Sequence, residues 1–425
     1  MKRIICLMLA FMLILSGCGV NPEEVSIVTG TPEPEAMTNE TADTGANETT
    51  ETEEAQSTSE TEEPAETTET EEEAYDPDSL TLKERYADNF LVGCAMNLQA
   101  LTVPTDQQKL YLSQFNSLTM ENETKPDSLL NQSACSSGLP GTYTEPVINT
   151  SKLDKCLSFC QENDISLRGH VLVWYSQTPA WFFTEDYTAN GALVSKEVML
   201  SRMESYIRQV LTYCQENYSG VIYAWDVVNE AIDPDSGNDP DGLRTVDNLW
   251  YTTVGPDYVE AAFTYARKYV EEGVDLYYND YNCYTKTTEI KKLLQKLIDK
   301  GLIDGMGMQC HFTTSNSMAK DVYYTALSFA ELGLKISITE LDIGMSDGDD
   351  EAQAIKYKVL FERLEEAQES GRMDIQSVTV WGLYDQISWR KDTNPLLFTK
   401  QDGEIVKKRA WYGAMQADDI MDIEW

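Results

Sequence analysis

Histidine is almost absent, with two in 425 residues. Neither His170 nor His311 lies in a His-Glu-x-x-His run or at a Cys/His spacing suited to zinc, so no metal site is expected. Basic residues are scarce as well, 32 Lys and Arg against 72 Asp and Glu, for a formal net charge of −40. Such a chain is repelled by phosphate backbones and anionic headgroups, which excludes nucleic acid and leaves a neutral or weakly charged substrate. No Cys-x-x-Cys pair occurs among nine cysteines. Cys156 and Cys160 stand at i, i+4 on an apparent helix, where a disulfide does not suit. Most cysteines are therefore read as small core hydrophobes. No Gly-x-Gly-x-x-Gly follows the first strand-like run, which argues against a doubly wound dinucleotide fold, and no cofactor is implied.

A membrane-spanning run is missing near the start: Ile4–Leu15 is too short to cross a bilayer comfortably. It follows Lys2 and Arg3 and leads into Leu15-Ser16-Gly17-Cys18, the layout of an export signal over 1–17. Those four residues resemble the lipobox of bacterial lipoproteins. The resemblance implies that Cys18 is lipidated and that the exported protein is held at the cell surface by a lipid anchor alone. A cleaved signal with an incidental Cys is the alternative. From Asn21 to Tyr75 there are 18 Asp or Glu and no Lys or Arg. That stretch cannot offset its ordering entropy by burial and repels itself, so 18–75 is expected to be a disordered acidic tether that gives reach. An acidic tail for a basic partner would want aromatic or helical periodicity, which the run lacks.

Residues 76–425 carry no Pro/Gly/Ser linker and no second break in composition, so they are read as one domain. Short apolar runs fall at Phe90–Asn97, Ser117–Glu121, Leu167–Trp174, Val221–Val228, Val274–Tyr278, Gly305–His311, Lys335–Leu341 and Ser377–Gly382. Helical periods lie between them, at Lys152–Asn163, Lys196–Asn217, Pro256–Glu272, Thr287–Lys300, Ala319–Leu332 and Ala352–Ser370. That alternation predicts an α/β fold, a single (β/α)8 TIM barrel preceded by the tether, with catalytic groups at the C-terminal ends of its strands. A monomer is expected.

Those strand ends gather polar residues. One strand ends in Asn229-Glu230, and another in Glu340-Leu341-Asp342. Strands four and seven of a closed barrel face one another across its mouth, and two facing carboxyls suit glycoside cleavage, one protonating the leaving oxygen while the other attacks or activates water. A solvated strand-end carboxylate is the plainer reading for either Glu alone; the pairing favours chemistry. Both histidines also fall at strand ends, beside Asn229 and Gln309, where hydrogen bonding to sugar hydroxyls and carboxylates competes with an ordinary core role. Trp174, Trp381 and Trp389 offer flat faces for pyranose rings, against core packing as the alternative.

The motifs are Glu121-Asn122-x-x-Lys125, Gly169-His170-x-Leu172-Val173-Trp174 with Ser176-Gln177-Thr178-Pro179, Trp225-Asp226-Val227-Val228-Asn229-Glu230, and Asn279-Asp280-Tyr281-Asn282. Gly307-Met308-Gln309-x-His311, Thr339-Glu340-Leu341-Asp342 and Trp381-Gly382-x-x-Asp385-x-x-Ser388-Trp389 complete them. Over 80–415 this set resembles glycoside hydrolase family 10, mostly endo-β-1,4-xylanases. The resemblance implies a retaining hydrolase of xylan and xylo-oligosaccharides with Glu230 as acid/base and Glu340 as nucleophile. It implies that Glu121, Asn122 and Lys125 bind the sugar one unit toward the non-reducing end. Lys125, His170, Asn229 and Gln309 would hold the ring being cleaved, with Trp174 and Gln177 also on the substrate. His311, held by Asp342, would keep Glu340 ionised, and Trp381 and Trp389 would cap the site. Tyr175, Thr124 and Cys310 depart from the common pattern, and 131–150 is read as an extended loop able to reshape the cleft. A β-glucanase or xylosidase remains the alternative among enzymes, and a lipid-anchored oligosaccharide-binding protein the alternative outside them.

Overall fold

Runs such as Leu-Val-Gly-Cys-Ala-Met and Ile-Tyr-Ala-Trp-Asp-Val-Val-Asn are buried on both faces, as parallel strands covered inside and out must be. The computed structural model describes residues 75–139, 141–315, 318–346 and 348–418. The expected signal run, Cys18 and the acidic tether up to residue 74 lie outside the described residues. The strands are β1 Leu91–Met96, β2 Ser117–Met120, β3 Ser166–Trp174, β4 Ile222–Asn229, β5 Asp275–Asp280, β6 Gly305–Met308, β7 Lys335–Gly344 and β8 Ile375–Val380. Successive strands pair in parallel from β1 to β8, with Gly93 opposite Ser117 and Gly305 opposite Lys335. Leu91 opposite Ser377 joins β8 back to β1, so the sheet closes into the expected barrel.

Helices fill the crossovers: α1 Asp106–Gln114, α2 Ser151–Asn163, α3 Lys196–Tyr218, α4 Tyr258–Tyr269, α5 Thr287–Ile298, α6 Met318–Ala330 and α7 Asp350–Glu369, with α8 Arg409–Ala414 after β8. Their starts follow from capping chemistry. Ser195 accepts the Val198 amide at 3.4 Å ahead of α3, and Asp349 accepts the Ala352 amide at 2.9 Å ahead of α7. On α4 the buried residues Tyr258, Val259, Ala262, Phe263 and Ala266 keep helical spacing and form the stripe that packs inward. Beneath the site the core is tight: a Cβ on Gly169 would stand 2.3 Å from the indole of Trp225, so only glycine lets β3 and β4 approach there.

Several details differ from the sequence reading. The run expected as one strand over Gly305–His311 stops at Met308 and resumes as a short strand His311–Thr313 beside β7, with His311 opposite Asp342. The break is Cys310, whose φ of 63° lies in the left-handed region and turns the chain. Helix α1 escaped notice because only Tyr111 and Gln114 are buried in it, too few to show a period. The 131–150 segment holds a helical turn at Gln132–Cys135 and an antiparallel bridge between Leu130 and Ile148, so it is folded back on itself. All seven described cysteines are free and buried, in keeping with core hydrophobes. No described helix is long and apolar enough to cross a membrane.

Candidate active site

Glu230 follows directly on β4, and Glu340 lies within β7, where the parallel arrangement brings the C-terminal halves of strands to one rim. Asn279, the penultimate residue of β5, connects the two sides. Its Nδ2 donates to Glu340 Oε1 and to Asn229 Oδ1, both at 2.9 Å, while its Oδ1 accepts from Thr339 Oγ1 at 2.6 Å. Gln309 Nε2 donates to Asn229 Oδ1 at 3.2 Å and to Glu230 Oε1 at 2.8 Å. One chain of amides thus runs from carboxyl to carboxyl. Because Asn229 Oδ1 is occupied by two donors, its Nδ2 is the end left for a ligand.

The two carboxyls are displaced in opposite senses. Burial raises the pKa of Glu230, helped by the negative charge of Glu340 and opposed by hydrogen bonds from Gln309 and from Trp174 Nε1, the latter at 3.0 Å. Burial also pushes Glu340 up, but the His311 hydrogen bond and the surrounding positive charge outweigh it and hold Glu340 at about 2. His170 adds to that field only when protonated, and burial lowers its own pKa, so His311 and Arg168 carry it at neutral pH. His311 is a cation there: burial lowers its pKa, but Asp342 at 2.9 Å and Glu340 at 3.3 Å bring it up to about 9. Asp342 is fixed in turn by Trp389 Nε1 at 3.0 Å and by the Arg390 guanidinium. A carboxyl whose pKa is raised, facing one held ionised, is the division of labour that glycoside cleavage needs.

The remaining sequence-derived residues assemble on the same rim. Lys125 Nζ donates to Gln177 Oε1 at 2.7 Å and lies 4.9 Å from the Trp174 ring centre. Gln177 Nε2 donates to Asn122 Oδ1 at 3.1 Å. Burial raises the pKa of Glu121, with Lys125 opposing. Glu121, Trp381 and Trp389 line one stretch of the cleft with Met96 and Ile387. Trp381 is buried against both histidines, with ring centres 5.7 Å from His170 and 6.4 Å from His311. Trp389 is 60% exposed, which leaves its face free to stack. His170 is oriented by Asp226 at 2.8 Å, and Asp226 also pairs with Arg168.

Sequence reasoning missed the roles of Asn279, Arg168 and Asp226. Each left a signal, a polar or charged residue inside a strand otherwise buried on both faces, but the partners were invisible. Arg168 Nη2 donates to the carbonyl of Thr339 at 2.9 Å, directly before Glu340.

A sequence model of glycosyl hydrolase family 10 matches residues 81–417. The chain belongs to this family. Among its relatives, endo-1,4-β-xylanase B of Butyrivibrio fibrisolvens is 39% identical over 358 residues, 81% of this chain and 54% of that protein. Endo-1,4-β-xylanase A of Thermotoga maritima is 40% identical over 357 residues, 80% of this chain and 31% of that protein. The chain therefore spans from about half to under a third of these relatives' lengths. Among solved structures, the CBM22-1 and GH10 modules of Clostridium thermocellum endo-1,4-β-D-xylanase 10B, complexed with xylohexaose, superpose with a TM-score of 0.73 at 34% identity. That match covers 80% of this chain and 68% of the other.

The charge relay gives a pH prediction. His311→Asn removes the cation beside Glu340, so the carboxyl returns toward higher pKa and its ionised form is lost sooner on acidification. The acid limb of kcat/KM is expected to move up by about one to three pH units. A pH–rate profile of the variant checks this, and an acid limb left in place contradicts the relay.

Proposed function

We propose that the protein hydrolyses internal β-1,4-xylosidic bonds of xylan and xylo-oligosaccharides with retention. Glu340 is the nucleophile and Glu230 the acid/base. The observation that carries the reading is the opposed displacement of the two carboxyls, joined through Gln309, Asn229 and Asn279 at one rim. In the first step Glu340 attacks the anomeric carbon as the glycosidic C–O bond breaks, and the Glu230 proton passes to the departing oxygen. In the second, Glu230 takes a proton from water, whose oxygen displaces Glu340. The relatives' names and the xylohexaose complex of the clostridial enzyme support xylan as the polymer.

Product analysis of the protein on xylan, β-1,4-glucan and mixed-linkage β-glucan tests the substrate. Short xylo-oligosaccharides from xylan alone are expected; monomeric xylose alone, or products from the glucans only, would sink the reading.

We also propose that Cys18 carries a lipid and holds a monomeric enzyme at the cell surface, the acidic stretch up to residue 75 giving it reach toward polymer. The supporting observation is the charge order around Ile4–Leu15 and the Leu-Ser-Gly-Cys ending. Cys18→Ala is expected to shift activity from the membrane fraction to the soluble one. Activity that stays with membranes would contradict the anchor, and light scattering at a dimer's mass would contradict the monomer.

A further inference from the structure

We infer that Lys286, Asp280 and Tyr278 form a positioning clamp for the turn that carries Glu230, fixing the direction of its carboxyl. The inference rests on the reading of Glu230 as acid/base.

Glu230 has φ 55°, left-handed backbone that a glutamate adopts only when its surroundings impose it. Three contacts do so. The Glu230 amide donates to Asn279 O at 2.9 Å, and two residues on the Ile232 amide donates to the Tyr278 hydroxyl at 3.0 Å. The Ile232 carbonyl accepts from Lys286 Nζ at 2.6 Å. The turn is thus pinned on both sides of Ala231 to the end of β5.

Asp280 organises the pins. It accepts from Lys286 Nζ at 2.7 Å, and the Tyr278 hydroxyl donates to its other oxygen, which leaves that hydroxyl's lone pairs facing the Ile232 amide. Its own carbonyl accepts the Gln309 amide at 3.0 Å, and the Gln309 side chain is a donor to Glu230. One residue therefore anchors both the turn and the group that faces the carboxyl. The pair is almost wholly buried. A buried ion pair is a weak source of stability compared with apolar packing, so stability alone does not account for this one. Burial pushes Asp280 up to about 6, and the Lys286 cation opposes that rise. Neither Lys286 nor Tyr278 reaches either catalytic carboxyl by a hydrogen bond among the described residues; the Lys286 charge lowers the Glu230 pKa through space, and what Lys286 and Tyr278 share is their hold on the backbone of the Glu230 turn.

A displaced acid/base slows bond cleavage where the leaving oxygen needs a proton and spares it where the leaving group departs unaided. The test uses the full chain with Tyr278→Phe, Lys286→Met and the double variant Lys286→Met/Asp280→Asn, which removes the ion pair together so that no buried charge is orphaned. Substrates are xylotetraose and 2,4-dinitrophenyl β-xylobioside. On xylotetraose kcat/KM is expected to fall about 10- to 100-fold, and on the aryl glycoside less than about threefold. Azide is expected to speed aryl-glycoside turnover in the variants and to yield the β-xylobiosyl azide, because base-assisted attack by water has become slow. Equal losses on both substrates without azide acceleration, or no loss on either, overturn the inference. Wild type inert toward both substrates overturns the functional reading and the clamp with it.

Discussion

Glu340→Ala is expected to abolish turnover of xylan, with kcat falling on the order of a millionfold, as when a covalent nucleophile is lost elsewhere. Its immediate partners, Asn279 and His311, are held independently by Thr339 and Asp342, so the surrounding geometry survives. Removing a buried carboxylate leaves room for a small anion next to the His311 cation. Azide should occupy it and attack the anomeric carbon of 2,4-dinitrophenyl β-xylobioside directly. One displacement inverts the centre: a C–N bond forms, the C–O bond to dinitrophenolate breaks, and the product is the α-xylobiosyl azide. NMR of the product reads the configuration. The β-azide from this variant would assign nucleophile and acid/base the wrong way round, and full activity without azide would remove Glu340 from the chemistry altogether.

The stability profile of the site follows from the same displacements. The lowered pKa of Glu340 contributes stability that is present above the ordinary value of 4.5 and lost as pH falls through about 2. The raised pKa of His311 contributes stability that is complete below 6.5 and lost as pH rises through about 9. Between those limits Glu340 is ionised and His311 charged, so the pairing holds over the whole neutral range.

How far the sequence reaches is plainest at particular residues. Glu230 and Glu340 were legible as a pair, because strand-like runs alternating with helical periods imply a closed barrel whose fourth and seventh strands face across its mouth, whereas either Glu alone reads as a solvated strand-end carboxylate. The barrel was legible for the same reason, since such strands alternate with amphipathic stretches. Partnerships were not legible. Nothing in Leu167-Arg168-Gly169 says that the guanidinium reaches Asp226 and the Thr339 carbonyl, because both partners lie on other strands. Nor does the 131–150 segment say that buried Arg202 gathers the carbonyls of Tyr143, Phe182 and Thr184 and so fastens that segment to α3. The left-handed turns at Glu230 and Cys310 are invisible for a related reason. Neither residue type favours that backbone, and only contacts from elsewhere impose it.

Glu230→Ala is expected to separate the two halves of the reaction. Without a proton donor, a sugar alkoxide is a poor leaving group, so kcat/KM on xylan should fall about 10²- to 10⁴-fold. Dinitrophenolate needs no proton, and Glu340 remains ionised with its His311 and Asn279 hydrogen bonds, so the glycosyl-enzyme should still form from the aryl xylobioside and accumulate. Its hydrolysis stalls because no base activates water, which predicts a rapid burst of dinitrophenolate followed by slow turnover. Azide needs no base and enters from the face that Glu230 vacates, opposite the bond to Glu340. The second displacement then gives the β-xylobiosyl azide and restores fast turnover. The fall of activity expected of the wild type on the alkaline side should also vanish in this variant, since that limb is expected to report loss of the Glu230 proton, whose pKa burial has raised above 4.5. An α-azide product, equal losses on xylan and aryl glycoside, or an alkaline limb left in place would each place the acid/base on another residue.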